Sequence, residues 1–201
     1  GLRYNHEECV RQAKSCGVTY KDLGAGITKE AASLLAQGNI IGWFQDAFEI
    51  GPRALGNRSI LADPRKAEMK DIINEKVKHR EWFRPFAPAI LEEFSAEYFT
   101  GCSKSPFMLL VAEVEKLKRD NVPAITHVDN TARVQTVNKT QNPRFYDLLT
   151  EFNKITGVPV ILNTSFNDKG EPIVCQPQDA IKCFLKTQMD YLVIGTLLIS
   201  K

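Results

Sequence analysis

The stretch from Pro143 to Thr164 constrains the fold of this chain more than any other. Phe145, Leu148, Leu149, Phe152 and Ile155 recur at helical spacing behind Pro143, and Gly157 closes the run. Val158 to Thr164 then reads as a strand. A helix with one apolar stripe that feeds straight into an apolar strand has to lay that stripe on a sheet.

The same grammar recurs along the chain. Thr28 reads as a helix N-cap, Ala31, Ala32, Leu34 and Leu35 as its apolar face and Gly38 as its stop, with a buried strand from Asn39 to Gln45. A second helix is predicted from Ala67 to Lys78, with Met69, Ile72, Ile73 and Val77 inward and Lys70, Glu75 and Lys78 off the stripe. Phe86–Leu91, Phe107–Val114 and Thr131–Val137 read as strands, and Asp129-Asn130 supplies turn chemistry for a hairpin. Pro177 opens a last helix carrying Ala180, Ile181, Phe184 and Leu185, and Tyr191 to Ser200 reads as one closing strand. Interleaved helices and strands imply an α/β or α+β domain over residues 27–201. Residues 1–26, with scattered charges and breaks at Gly17, Gly24 and Gly26, read as a linker or docking arm.

Composition narrows the function. At 43% hydrophobic and 25% charged residues the chain is of ordinary globular type, and a net charge of +2 argues against duplex nucleic acid as its main partner. Five cysteines without a C-x-x-C pair fit a reduced, cytoplasmic protein, and the three histidines lack zinc-site spacing. No apolar window is long enough for a membrane span, and the polar first residues do not read as a signal peptide. Walker and dinucleotide glycine motifs are both absent.

Three segments carry candidate chemistry. The run Gly51-Pro52-Arg53-Ala54-Leu55-Gly56-Asn57-Arg58-Ser59 sets two arginines among glycines, so its N–H groups and guanidinium forks suit phosphate or carboxylate; the competing reading is a structural turn with surface arginines. Arg84, wedged between Phe83 and Pro85, needs a carboxylate, an aromatic face or a ligand, whereas Arg80 beside Glu81 reads as solvated or ion-paired. Lys78 at a helix end suits the dipole as well as a ligand. In an extended segment Asn163, Ser165 and Asn167 project to one side and Thr164 and Phe166 to the other, at the carboxyl end of a strand, where α/β proteins bind ligands. His127 reads as a satisfied structural histidine.

Glu49 to Arg65, Phe83-Arg84-Pro85-Phe86-Ala87-Pro88, Thr126-His127-Val128-Asp129, Ala132 to Val137 and Leu162 to Asn167 closely resemble, in order, the C-terminal domain of nodulation-type and cephem or aminoglycoside O-carbamoyltransferases. The resemblance implies a YrdC-like fold, a twisted open mixed sheet with packed helices, that uses ATP with Mg2+ and carbamoyl phosphate to form carbamoyladenylate. It also implies an N-terminal actin-like, iron-holding domain that passes the carbamoyl group to an acceptor hydroxyl. That domain is missing from this chain, which would make residues 1–26 the junction. The family's functional set maps onto Lys78, Arg84, Ser165 and Asn167 as catalytic, with Arg53, Arg133 and Asn163 binding substrate. The alternative is a non-catalytic nucleotide- or RNA-binding module of the same fold. Two departures stand out: Asp46-Ala47-Phe48 replaces a glycine, an arginine and a hydrophobe, and Asn130 stands where glycine is common.

Overall fold

The computed structural model describes residues 1–201. In chain order its elements are α1 (His6–Ser15), β1 (Tyr20–Asp22), α2 (Ile27–Ala36), β2 (Ile41–Phe44), β3 (Arg58–Ala62), α3 (Glu68–Lys76), β4 (Ala87–Leu91) and α4 (Ser95–Tyr98). There follow β5 (Leu110–Glu113), β6 (Thr131–Val137), α5 (Pro143–Thr156), β7 (Val160–Ser165), α6 (Pro177–Lys186), β8 (Tyr191–Ile194) and β9 (Leu197–Ser200). The nine strands form one open sheet in the order β1-β9-β8-β2-β3-β7-β4-β6-β5. Only β2–β8 and β4–β6 pair in parallel, so the sheet is mixed.

The two faces of the sheet are covered by different helices. On one side α2 and α5 pack over Trp43, Leu61, Ala89, Ile161 and Val193; on the other, α1, α3 and α6 bury Ile60, Leu162 and Phe166. α5 starts and stops as its residues dictate. The Asn142 side chain accepts from Phe145 N, Pro143 occupies the first turn, and Gly157 takes the left-handed conformation that ends it. Phe145, Leu148, Leu149 and Phe152 are fully buried, each contributing about 1.5–3 kcal/mol by leaving water. Ile155, expected on the same stripe, is 51% exposed in the last turn of α5. Leu185 of α6 is exposed in the same way.

Other elements differ from their expected form. Thr28 does not cap α2: a short turn at Gly24–Gly26 runs into the helix, and Gly26 holds the cap position without a side-chain bond. The expected strand Tyr191–Ser200 is a hairpin, because Gly195 at φ 61° reverses the chain and pairs Ile194 with Leu197. β5 is shorter than expected, broken on its N-terminal side by Met108 at φ 53°. It does pair antiparallel with β6, but through a long connection rather than a tight hairpin. Residues 1–26, expected to be a linker or docking arm, hold regular elements. An Asn5–Glu8 capping box starts α1, which buries Cys9 and Ala13, and β1 extends the sheet along β9.

Register brings the candidate segments to one end of the sheet. β3 pairs Ser59 with Trp43 on one side and with Ser165 on the other, while β4 pairs Ala87 with Asn163 and Ala89 with Gln135. The ends of β2 and β7 and the starts of β3, β4 and β6 therefore share one rim.

Candidate functional site

The β2–β3 loop, which was expected to offer its N–H groups to an anion, satisfies most of them internally. Glu49 Oε1 accepts from the N–H groups of Leu55 at 2.8 Å, Asn57 at 2.7 Å and Arg58 at 3.3 Å, and Ser59 Oγ accepts from Gly56 at 3.1 Å. The Glu49 carboxylate thus holds the place an anion would have taken from Leu55 onward. The loop's carbonyls are tied as firmly: Asn163 Nδ2 donates to Ala54 O, Gln135 Nε2 to Leu55 O and Trp43 Nε1 to Gly56 O. Arg58 is structural, but buried rather than at the surface where the competing reading put it. It is fully buried 3.6 Å over the Phe44 ring and donates to the carbonyls of Gln45, Asp46 and Asn57.

Gly56 lies at φ 104°, and a Cβ there would meet the Phe145 ring at 2.2 Å. Gly56→Ala combines backbone strain with overpacking and is expected to cost about 3 kcal/mol in urea unfolding; an unchanged midpoint would show that the loop packs differently. The two departures from the family's glycines are accommodated locally. Asp46 at φ 39° and Asn130 at φ 64° keep left-handed backbone, which short polar side chains tolerate best after glycine. Asp46 also pairs with Arg3 at 3.1 Å.

What the loop delivers is Arg53, at the edge of a cavity of about 110 Å³. Arg80 and Arg133 line the same cavity, with Asn163, Thr164 and Ser165 from the end of β7. No carboxylate lines it, and none of the three arginines forms an ion pair elsewhere. Burial, then the charge of Arg53, lowers the pKa of Arg133; burial, then Arg84, lowers that of Arg80. Guanidinium stays charged at any ordinary pH, so both shifts reflect chiefly the cost of burying a cation, with neighbouring arginines adding to it. Three buried side-chain polar atoms are left without partners in the protein; Arg58 Nε lies away from the cavity, but Arg133 Nε, a donor, and Asn163 Oδ1, an acceptor, belong to residues that line it. Native proteins leave few such atoms, so their coincidence in one cavity marks a place for a polar ligand.

Of the four residues expected to be catalytic, only Ser165 reaches the cavity. Lys78, expected off the apolar stripe, is 4% exposed; α3 ends at Lys76, so helical spacing no longer sets its direction. Its Nζ donates to Ser165 O at 2.9 Å, Asn167 O at 2.8 Å and Asn167 Oδ1 at 2.5 Å, which uses all three of its protons. Asn167 is equally occupied, since Ser165 Oγ donates to its Oδ1 and its Nδ2 donates to Glu171 O. The pair therefore clamps the 165–167 turn behind the cavity. Arg84 points away, paired with Glu81 at 2.9 Å and about half exposed. Arg80 takes the inward place instead, its Nε donating to Asn74 Oδ1 and its guanidinium 4.8 Å from the Phe86 ring centroid. Arg53, Arg133 and Asn163, expected to bind substrate, line the cavity. Gln135 and Glu49 were missed; the alternation of Arg133 and Gln135 on one face of β6 was the available signal for the first. His127 lies outside, its Nε2 3.3 Å from Phe86 O, and burial lowers its pKa from 6.5, so it is neutral at pH 7.

Burial, then Arg80, pulls the pKa of Lys78 from 10.5 to about 8. Between those values the unfolded chain binds the proton and the native one does not, so this group makes stability rise with pH across that window, by roughly 3 kcal/mol, and contributes no slope below it. Urea unfolding of wild type and Lys78→Met across pH 7–10.5 checks this; parallel curves would contradict a buried amine.

No group of three or more His, Cys, Asp or Glu side chains could hold a metal ion, all five cysteines are free, and no helix is long and apolar enough to cross a membrane. Residues 32–201 match the family model described as carbamoyltransferase C-terminus. Nodulation protein NolO of Bradyrhizobium diazoefficiens is 52% identical over 178 residues, covering 87% of this chain and 32% of that protein. The Synechocystis protein sll1178 is 45% identical over 226 aligned positions, covering 100% of this chain and 36% of that protein. The chain spans about a third of the length of these relatives. In fold it is similar to full-length HypF, crystallised in a phosphate- and nucleotide-bound form, with a TM-score of 0.62 at 19% identity over 85% of this chain and 25% of that one. The mixed open sheet is accordingly the YrdC-like fold.

Proposed function

This chain belongs to the carbamoyltransferase C-terminal family, and on that premise we propose that its arginine-lined cavity forms carbamoyladenylate from ATP and carbamoyl phosphate. The observation that carries the reading is the convergence of Arg53, Arg80 and Arg133 with no carboxylate among them. Three fixed cations in a partly buried site suit a polyanion whose charge shifts during reaction. Loss of the phosphoryl group of carbamoyl phosphate to water gives carbamate; a carbamate oxygen then attacks the α-phosphorus of ATP as the bond to pyrophosphate breaks. Negative charge moves onto the departing pyrophosphate, where the guanidiniums act. The Ser165 hydroxyl is placed to orient the reacting end, and Lys78 and Asn167 hold the turn that carries it.

At about 110 Å³ the cavity is below the roughly 300–1,000 Å³ of typical ligand pockets, so it takes the reacting groups and not the whole nucleotide. A hollow of about 240 Å³ lined by Phe83, His127 and Val128 shares Pro85 with it and offers room for the base and ribose. Mg2+ enters as the counter-ion of ATP, and iron belongs to the proposed actin-like partner domain that carries the carbamoyl group to its acceptor.

The test is pyrophosphate release by this chain. Release that requires both ATP and carbamoyl phosphate is expected. Nucleotide binding without release would make it a binding module, and absence of both in a folded chain would sink the reading.

A further inference from the structure

Asn74 is a fully buried amide in α3, and it directs its hydrogen bonds at the segment between α3 and β4. Its Nδ2 donates to Trp82 O at 3.1 Å and to Arg84 O at 3.0 Å, and its Oδ1 accepts from Arg80 Nε at 2.7 Å. Its backbone carbonyl accepts from Arg80 N at 3.0 Å. The amide has one workable orientation, because the two carbonyls only accept and the guanidinium only donates. Flipped, it would set oxygen against both carbonyls and N–H against N–H. One helix residue thus fixes a stretch of chain that has no helical or strand period of its own.

Of the three arginines that line the cavity, Arg80 is the one whose side chain is hydrogen-bonded within the protein. That bond is made at Nε, and neither terminal nitrogen has a protein acceptor. A guanidinium held at Nε has its last torsions fixed while its fork of terminal N–H groups stays free for a ligand. We infer that Asn74 is a positioning residue of the cavity: it holds Arg80 inward and, by binding the Arg84 carbonyl, keeps Arg84 where its guanidinium pairs with Glu81 outside. Asn74 touches no substrate and acts through Arg80. This rests on the adenylation reading, in which Arg80 meets the reacting phosphates, and adds to it the residue that preorganises that cation. Without Asn74 the guanidinium would have to be ordered each time ligand binds. An asparagine that merely stitched the turn together would affect stability alike whether or not Arg80 were present, and would have no effect that depends on Arg80.

The experiment is a double-mutant cycle on the intact chain with Asn74→Leu and Arg80→Met, each checked for folding by circular dichroism. It is read by titration calorimetry with inorganic pyrophosphate and by pyrophosphate release from ATP with carbamoyl phosphate. Alone, Asn74→Leu is expected to weaken pyrophosphate binding about tenfold and to lower kcat/KM by about 30- to 100-fold. In the Arg80→Met background the same change is expected to alter each by less than about threefold. Equal losses in the two backgrounds would make Asn74 a structural residue and overturn the inference. Wild type alone gives a second readout should Asn74→Leu fail to fold. In heteronuclear NMR the Arg80 Nε–H, identified by its absence from Arg80→Lys, is expected to exchange with water about tenfold or more slowly than that of the half-exposed Arg84. Equal exchange overturns the inference. The expected cycle in pyrophosphate binding, with no release from ATP by wild type, sinks the adenylation reading and leaves the positioning role standing; release with equal losses in both backgrounds does the reverse. A wild type that neither binds nor releases pyrophosphate overturns both.

Discussion

Arg133→Met is expected to lower pyrophosphate formation by about 10²- to 10³-fold, the usual loss when one preorganised donor leaves a reacting centre. The same change is expected to leave the protein as stable as before, or more stable by about 1 kcal/mol. Both halves follow from one observation. Arg133 makes no hydrogen bond or ion pair within the protein, its Nε is buried without a partner, and Arg53 adds like charge beside it. Removing such a group relieves desolvation and repulsion that folding otherwise bears, and methionine keeps the volume. A purely structural arginine behaves in the opposite way: Arg58, with its carbonyl acceptors and its aromatic stack, is expected to cost stability when replaced. Steady-state turnover and urea unfolding of Arg133→Met separate the two roles. Lost stability with retained turnover would make Arg133 a structural residue.

Glu49→Ala is expected to damage stability and activity together. One oxygen of this carboxylate holds three backbone N–H groups of the loop. Stripping it leaves three partly buried donors to find water, at about 1 kcal/mol or more each, so a loss of about 2–4 kcal/mol is expected. Activity is expected to fall about 10²-fold because Arg53 and Ala54 lose their fixed placement at the cavity. Glu49→Gln keeps an oxygen acceptor, loses the charge assistance and is expected to fall between the two. If Glu49→Ala unfolds at the wild-type midpoint, the loop is held by Asn163, Gln135 and Trp43 alone.

How far the chain could be read from its residues varied with the kind of interaction involved. β6 is found with its expected ends, Thr131 and Val137, because Asn130 marks one boundary with left-handed backbone. α5 was equally readable from Asn142, Pro143 and Gly157, whose roles are local. The β8–β9 reversal was not, since Gly195-Thr196 lacks the usual Asn-Gly signal and both flanks are apolar. Of the cavity residues, Arg53 was singled out by its glycine-rich loop, Asn163 and Ser165 by side-chain alternation, and Arg133 by the family resemblance alone. The directions of Lys78, Arg80 and Arg84 were not legible, because all three lie beyond the end of α3 at Lys76, where no helical or strand period applies. Glu49 was missed for a related reason: a carboxylate that binds backbone six to nine residues away leaves no periodic mark.

The central claim, that the three arginines hold the reacting phosphates, is tested most directly by a crystal structure of this chain with ATP and carbamoyl phosphate. Phosphate oxygens are expected within hydrogen-bond distance of Arg53, Arg80 and Arg133, with the carbamoyl group against Asn163. Nucleotide seated instead in the 360 Å³ cleft lined by Tyr4, Arg144 and Thr196, with the three arginines untouched, would contradict it.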